Sequence, residues 1–260
     1  MKTALLKDTF KEITHNYKRF ISMLLIVLLG VGFFAGIKAA SPDMKETLDQ
    51  YFDSQNVMDI QVISTLGLTK TDLEELQKVE GVEQVEGSYS ADAMVNIGEE
   101  EVVVKLESLP ENINQVKIVE GRLPQNNTEC VVEENFLLGT NHQIGNQIQI
   151  EVEDITNDEG ETQKLLKEEK VTIVGTIQSP LYIYIERGST KLGSGKIDYY
   201  LYLPRENFDT DLSSVAYITV EGAKDLKTYQ NNYEDRIQEI EDKIDAISEE
   251  RRQARYDEIY

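Results

Sequence analysis

One long apolar segment constrains this chain more than any other feature. Residues 20–40, FISMLLIVLLGVGFFAGIKAA, contain one charged side chain, Lys38. A helix rises about 1.5 Å per residue, so about 20 apolar residues span a hydrocarbon core of about 30 Å. No other segment of the 260 residues approaches this length and hydrophobicity. The pattern predicts a transmembrane helix at residues 20–40, in contact with a lipid bilayer, and a large soluble part after it.

The charges on either side of the span predict its orientation. Residues 1–19 carry five Lys or Arg against two acidic residues, whereas the whole chain has a net charge of −22. Basic residues near a span are retained on the cytoplasmic side. We therefore expect residues 1–19 in the cytoplasm and residues 41–260 outside the membrane. A cleaved signal peptide is the alternative, but the apolar run exceeds the usual length of about 7–15 residues, and Lys38 is unsuited to a cleavage site after Ala40.

Two further patterns concern helix contacts. Four apolar residues before the span recur at helical spacing on one face: Leu6, Phe10, Ile13 and Tyr17. A basic amphipathic helix of this kind lies along the inner leaflet and can serve as a coupling helix; a plain extension of the span is the other interpretation. Within the span, Gly32 and Gly36 form a GxxxG pair that lets another helix approach closely.

The composition excludes some function classes. A net charge of −22 and a pI near 4.5 argue against nucleic acid as a partner, because phosphate binding needs a basic surface. Cys130 is the only cysteine, so the chain forms no internal disulfide and its soluble part must depend on a hydrophobic core. This absence is more typical of a bacterial envelope protein than of a eukaryotic secreted domain. Cys130 lies in a strand-like run and is expected to be a buried apolar residue.

Catalytic patterns are absent from the sequence. His15 and His142 are far apart, and no cluster of His and Cys has the spacing of a zinc site. The run 193–196, GSGK, lacks the preceding glycine of a phosphate-binding loop. The acidic pair Glu133–Glu134 is expected on a solvated surface. The sequence therefore predicts no catalytic residue, no cofactor, no metal and no enzyme.

Residues 41–225 have the pattern of an α+β domain. Between residues 57 and 106, a strand, a short helix and further strands follow each other, an order typical of half of a split βαβ unit. Beyond residue 107, strands alternate with turns rich in Gly, Asn and Pro. Aromatic-rich strands are predicted at residues 181–185 and 199–203.

The last segment, residues 226–260, has a helical stripe. Its apolar positions alternate by three and four residues: Ile237, Ile240, Ile244 and Ile247. This spacing predicts the seam of a coiled coil. Because the pattern reaches Tyr260 without a stop signal, we expect a truncated chain whose returning helix lay downstream.

Short motifs in the soluble part resemble a known family. The runs are VEGRLP at 119–124, ECVV at 129–132 and IGNQI at 144–148, followed by related blocks at 173–182, 186–188 and 192–196. Together with one span and an α+β domain, they resemble the N-terminal part of FtsX-like, MacB-type ABC transporter permeases. The residues that carry the family motif are Gly121, Arg122, Pro124, Gly145, Gly175, Pro180, Gly188, Gly193 and Gly195.

The resemblance implies an architecture and a function. It implies an α+β protein with one N-terminal transmembrane helix, a MacB-like extracytoplasmic core domain and a C-terminal coiled-coil helix. Such a permease subunit dimerises in the bacterial cell membrane, recruits a separate cytoplasmic ABC ATPase and transmits ATP-driven motion to the extracytoplasmic domain for export or envelope transport. The family has three more spans, which would be missing here. The alternative is a single-pass sensor or scaffold with a coiled-coil dimerisation stalk.

Overall fold

The computed structural model describes residue 7 and residues 11–97, 100–153, 155–156, 162–184 and 186–259. The chain divides into two compact units, Met1–Gln50 and Tyr51–Tyr260. Its helices and strands form a mixed α+β structure, which confirms the predicted fold class.

The first unit is mainly helical where it is described. Residues 11–15 are helical, and a long helix, α1, runs Tyr17–Ser54 and so ends within the second unit. Among the described residues, α1 is the one helix long and apolar enough to cross a membrane, judged by length and composition. Its helical geometry continues through both predicted boundaries, 19/20 and 40/41. Pro42 lies inside α1 and, having no N–H, leaves one carbonyl of the preceding turn without its usual donor.

The second unit contains the strands and the other helices. In chain order they are β1 (Ile60–Leu68), α2 (Lys70–Gln77), β2 (Val82–Ser88), β3 (Ser90–Ile97), β4 (Glu100–Ser108), β5 (Lys117–Gly121), β6 (Glu129–Glu133), α3 (Glu134–Thr140), β7 (Gln147–Val152), β8 (Ile155–Thr156), β9 (Thr162–Gln163), β10 (Lys170–Gln178), β11 (Tyr199–Leu203), β12 (Ser213–Val220) and α4 (Asn231–Ile259). Short 3-10 segments lie at Pro180–Tyr182, Arg205–Asn207 and Ala223–Asp225.

Six strands close into a barrel. Their order is β10-β6-β11-β4-β3-β7, and β7 pairs again with the first residues of β10, while β5 pairs with the last residues of β10. The barrel interior is filled by alternate strand residues, such as Cys130 of β6 and Leu201 and Leu203 of β11. Because side chains alternate across a strand, Tyr200 and Tyr202 lie on the outer face. Closure leaves no unpaired edge along most of the barrel.

One predicted strand is wrong. The aromatic-rich segment at residues 181–185 is predicted to be a strand, but Pro180–Tyr182 form a 3-10 turn, and residue 185 lies outside the described residues. Ser179 caps this turn by accepting a hydrogen bond from the backbone N–H of Leu181 at 3.3 Å. Proline at the first position of a helical turn costs nothing, because its missing N–H would be unpaired there anyway.

A second, three-stranded sheet lies beside the barrel in the order β1-β12-β2. Strands β1 and β2 are both antiparallel to β12 and hence parallel to each other, with α2 as the crossover helix. This arrangement is the split βαβ unit that the sequence predicts, with β12 inserted from the end of the domain. Strands β3 and β4 leave this sheet and belong to the barrel.

The predicted coiled-coil seam of α4 needs correction. Ile237, Ile240 and Ile244 are 8%, 0% and 4% exposed, and Ile247 packs against the same cluster. Their contacts are apolar residues of the three-stranded sheet and of α2, within the same unit. A stripe at helical spacing identifies a buried face without identifying its partner. Here a sheet of the chain itself, rather than a second helix, covers the seam.

Candidate functional site

The described residues offer little catalytic chemistry. No group of three or more His, Cys, Asp or Glu among them is arranged to hold a metal ion. Cys130 is fully buried inside the barrel, and burial raises the pKa of its thiol well above the usual value. His142 contacts the backbone and hydroxyl oxygens of Thr140 at 3.1 and 3.0 Å through Nδ1. Four clusters of structural contacts, rather than a reactive group, make up the candidate site.

The first cluster, here called the corner, consists of Gly121, Arg122, Glu129 and Gly175. Gly121 of β5 pairs with Gly175 of β10. A Cβ on Gly121 would lie 2.3 Å from the carbonyl oxygen of Val174, and a Cβ on Gly175 would lie 2.6 Å from that of Arg122. Gly121 also has a positive φ of 78°. The two glycines therefore let the backbones of β5 and β10 approach more closely than any side chain allows.

An ion pair closes the corner. Arg122 donates two hydrogen bonds of 2.7 Å to the two carboxylate oxygens of Glu129. The backbone N–H of Gln125 donates a third, at 2.8 Å. The Arg122 guanidinium and the Gln125 N–H lower the pKa of Glu129 to about 2. This geometry fixes the turn of residues 122–129, which includes the half-buried Pro124, between β5 and β6.

The remaining motif residues also shape the backbone. Gly145 has a positive φ of 96° and donates its N–H to the carbonyl of Ile173 at 2.8 Å. Gly188, Gly193 and Gly195 all have positive φ in a tight loop before β11. Within this loop, Ile197 donates its backbone N–H to the carbonyl of Gly188 at 3.3 Å. The structure thus places these motif residues at turns and close approaches.

A second cluster, here called the cleft, contains a buried ion pair. Nε and Nη2 of Arg187 donate to Oε2 of Glu133 at 3.1 and 2.8 Å. Glu133 was expected on a solvated surface, but it is 3% exposed because it ends a buried strand of the barrel. Burial raises its pKa, while Arg187 acts in the opposite direction.

Aromatic rings line the rest of the cleft. The rings of Tyr182 and Tyr200 are stacked with centroids 4.5 Å apart, and the Arg187 guanidinium carbon lies 5.6 Å from the centroid of the Tyr200 ring. Together with Tyr51 and Glu133 they border a cavity of about 290 Å³. Arg187 and Tyr182 therefore attach the segment after β10 to the outer face of the barrel.

The third cluster, here called the junction, lies where barrel strands meet the three-stranded sheet. Its centre is Glu107 of β4, which is 3% exposed. Oε1 of Glu107 accepts hydrogen bonds from the hydroxyl of Tyr182 at 2.5 Å and from that of Ser90 at 2.9 Å. Hydroxyls of Ser88 in β2 and Ser108 in β4 are 2.9 Å apart. Polar side chains of both sheets thus meet in a buried layer.

The fourth cluster, here called the root, contains the residues directly after α1. The backbone carbonyls of Gln55 and Asn56 accept from the N–H groups of Gln115 and Asn114, each at 2.8 Å. Asn56 Nδ2 donates to the carbonyl of Asn112 at 2.8 Å. These bonds hold the exit of α1 to the loop at residues 112–115.

Asp59 extends the root to the end of the domain. Its carboxylate accepts from the backbone N–H of Val220 and from the hydroxyl of Tyr233, both at 2.7 Å. Burial raises the pKa of Asp59, and the two hydrogen bonds act against this rise. Since Val220 ends β12 and Tyr233 lies in the first turn of α4, one carboxylate joins the first strand to the last helix.

The predicted membrane residues lie in or before α1. Gly32 and Gly36 have no other heavy atom within 4 Å of a Cβ position. Of the predicted coupling residues, Ile13 is half-buried and Tyr17 is 53% exposed. Leu6 and Phe10 lie outside the described residues. The contacts expected for these six residues remain predictions.

Sequence reasoning missed the buried carboxylates Glu107 and Glu133 and the half-buried Asp59. Glu107 and Glu133 lie at the ends of their strands and Asp59 directly precedes β1, positions where an acidic residue is usually taken to be exposed. A signal was present in YYLYL at residues 199–203, since two tyrosines on one strand face need polar partners when they are buried. The identity of those partners depends on strand order, which sequence spacing does not give.

No family model matches the chain, and no curated protein matches it. Solved structures are similar to it. The extracellular domain of the noncanonic ABC-type transporter YknZ from Gram-positive bacteria is 15% identical, with a TM-score of 0.39 over 64% of this chain and 79% of that chain. The periplasmic region of MacB from Actinobacillus actinomycetemcomitans is 13% identical, with a TM-score of 0.36 over 69% of this chain and 73% of that chain. The likeness is partial and concerns the fold.

Proposed function

We propose that this chain is the N-terminal part of an ABC transporter permease subunit that transmits motion from a cytoplasmic ATPase to an extracytoplasmic domain. Two features support this role: the motifs at 119–124 and 144–148, which resemble those of the family, and the apolar helix α1. Its membrane is that of a bacterial cell, with residues 1–19 inside and residues 41–260 outside. ATP hydrolysis belongs to the separate subunit.

The root carries this proposal. A domain that is moved by a helix must be held firmly where the helix enters it. Gln55, Asn56 and Asp59 follow α1 directly, and their hydrogen bonds reach the loop at residues 112–115, the end of β12 and the start of α4. A displacement of the helix end would therefore reach three segments of the second unit at once.

The partners follow from the same proposal. The permease subunit pairs with a second copy, and Gly32 and Gly36 would let two helices approach in the bilayer. Residues 1–19 would contact the ATPase from the inner leaflet. The three further spans of the family pattern would complete the transport unit.

Nucleotide-dependent distance measurements test the proposal. Leu138 is 79% exposed on α3, and Leu138→Cys gives a spin-labelling site, while the buried Cys130 is expected to stay unlabelled. We expect the distance between labels on two copies to change when the whole subunit, reconstituted with its co-purifying ATPase, binds ATP in place of ADP. A sensor or scaffold would co-purify with no ATPase or would show one distance in both states.

A variant of the root makes the test specific. Tyr233→Phe removes the hydroxyl that donates to Asp59, while Tyr184→Phe removes a hydroxyl from a side chain that is 76% exposed. We expect Tyr233→Phe to reduce the nucleotide-dependent distance change and Tyr184→Phe to leave it intact. Equal distance changes in both variants would contradict a role for this contact in transmission.

A further inference from the structure

The junction holds a carboxylate in an unusual position. Glu107 is 3% exposed, and its Oε2 has no hydrogen-bond partner among the described residues. Its Oε1 accepts from Tyr182 and Ser90, both of which are uncharged. A buried carboxylate without a cationic partner is unstable as an anion, because it has lost its hydration and gained no opposite charge.

We propose that Glu107 is a proton-binding site in the second unit, and that its protonation state controls how the segment at residues 179–182 is held between the barrel and the three-stranded sheet. The geometry supports this because Tyr182 contacts both sides. Its hydroxyl donates to Glu107 at the junction, and its ring stacks on Tyr200 in the cleft. A change in the protonation of Glu107 can therefore alter the contacts in the cleft through the single side chain of Tyr182.

The surroundings of Glu107 favour the neutral form. From neighbouring elements it is faced by Tyr182 of the 3-10 turn, Tyr202 of β11 and Tyr217 of β12. The charged groups that act on it are Lys105 of β4 and Asp92 of β3. These two form their own pair at 2.7 Å, and they shift the pKa of Glu107 in opposite directions. Burial then dominates and raises the pKa of Glu107 to about 7, while the Tyr182 and Ser90 hydrogen bonds limit the rise.

The chemistry is a single proton transfer from solvent. Below the raised pKa the proton resides on the carboxyl group, and the two hydroxyls donate to a neutral oxygen. Above it the proton leaves, and the same hydroxyls donate to an anion and bind it more strongly. The carboxylate then remains buried with Oε2 unpaired, so the free energy of unfolding is lower when Glu107 is ionised.

The direction of the pH effect follows from this linkage. An ordinary Glu has a pKa of 4.5, and the folded value is about 7. The contribution of Glu107 to the stability of the folded state is fully present below its ordinary pKa and is lost as pH rises through its pKa in the folded state. Between pH 5 and pH 8, the folding equilibrium should fall roughly 70-fold more in the wild type than in Glu107→Gln, which cannot titrate.

The experiment is urea unfolding of the whole chain in lipid nanodiscs at pH 5 to 9, followed by circular dichroism. Glu120→Gln is the matched control, because Glu120 is an exposed glutamate of β5. We expect the wild type and Glu120→Gln to share the steep pH dependence and Glu107→Gln to lack it. A Glu107→Gln profile that follows the wild type would overturn the proposal.

A second pair of variants keeps the test valid if Glu107→Gln does not fold. Tyr182→Phe removes one hydrogen bond that holds the pKa of Glu107 down, so the titration midpoint should move to higher pH. Tyr184→Phe, at an exposed side chain, should leave the midpoint in place. The readout is the infrared band of a protonated carboxyl group, which should appear as pH falls through about 7. An unchanged midpoint in Tyr182→Phe, or no such band in the wild type, would contradict the proposal.

Discussion

Helices α1 and α4 both carry isoleucines, but these side chains lie in opposite environments. In α1 apolar residues surround the helix axis, and Ile26 and Leu29 are 71% and 75% exposed. In α4 they form one stripe, and Ile240 is fully buried against the three-stranded sheet. The distribution of apolar residues around the axis therefore predicts what covers a helix. An all-round distribution is typical of a membrane span, and a single stripe is typical of a helix docked on a core.

Ile240→Ala tests this comparison with the largest expected effect. Removing a fully buried side chain that contacts the sheet should lower the free energy of unfolding by about 2–5 kcal/mol. Ile26→Ala removes the same atoms from α1 and should leave the unfolding of the second unit unchanged. Urea unfolding in nanodiscs measures both. Equal small losses in the two variants would mean that α4 does not depend on the sheet.

Asp72→Asn tests how far along α4 the docking extends. Asp72 accepts hydrogen bonds from the backbone N–H and hydroxyl of Thr69 at 2.8 and 2.7 Å and from Nε of Arg251 at 2.9 Å. Burial opposes ionisation, but the Thr69 and Arg251 contacts outweigh it and lower the pKa of Asp72. We expect a loss of about 1–3 kcal/mol at neutral pH, measured by unfolding, with faster hydrogen exchange around Arg251.

The pH dependence of this contact has a defined sign. A lowered carboxyl pKa means that the stabilisation is present above the ordinary value of 3.8 and is lost as pH falls through the lower folded value. Wild type and Asp72→Asn should therefore converge in strong acid. Glu249→Gln is the control, because the Glu249–Arg252 pair is 73% exposed on both sides and should contribute little. A Glu249→Gln loss as large as that of Asp72→Asn would contradict docking at Arg251.

Substitution of the glycine pair in α1 has the smallest expected effect. If Gly32 and Gly36 let two copies approach, replacing both with Leu should weaken self-association by on the order of 1 kcal/mol, because the backbones can no longer touch. Energy transfer between labelled chains in bicelles measures this change. Gly30→Leu is the matched control on the other side of the helix. The same loss of transfer in both variants would show that the GxxxG spacing is not what matters.

Sequence patterns predicted several elements closely. Residues 199–203 form strand β11, and the split βαβ order is present. These predictions succeed because alternation and turn residues act locally. The strand predicted at residues 181–185 is wrong because Pro180 and the Ser179 cap favour a 3-10 turn over an extended strand.

The shifted pKa values of two carboxylates could not be predicted in the same way. The half-buried Glu129 and the buried Glu107 lie near opposite ends of their strands, and their pKa values move to about 2 and about 7. The partner of Glu129 is Arg122, only seven residues away, so a contact that is local in sequence lowers its pKa. Glu107 takes its environment from Tyr182, 75 residues away, and from β12, which only the assembled sheets bring to it.

The amino-acid sequence is enough to predict the long apolar helix α1, the α+β class, the local strands and the glycines at which the backbone must turn or approach closely. These features follow from short-range rules of hydropathy, alternation and backbone freedom. Only the folded chain shows what covers the isoleucine stripe of α4 and which carboxylates lose their water. Burial depends on the order in which distant strands pair, and barrel closure and the insertion of β12 between β1 and β2 set that order here.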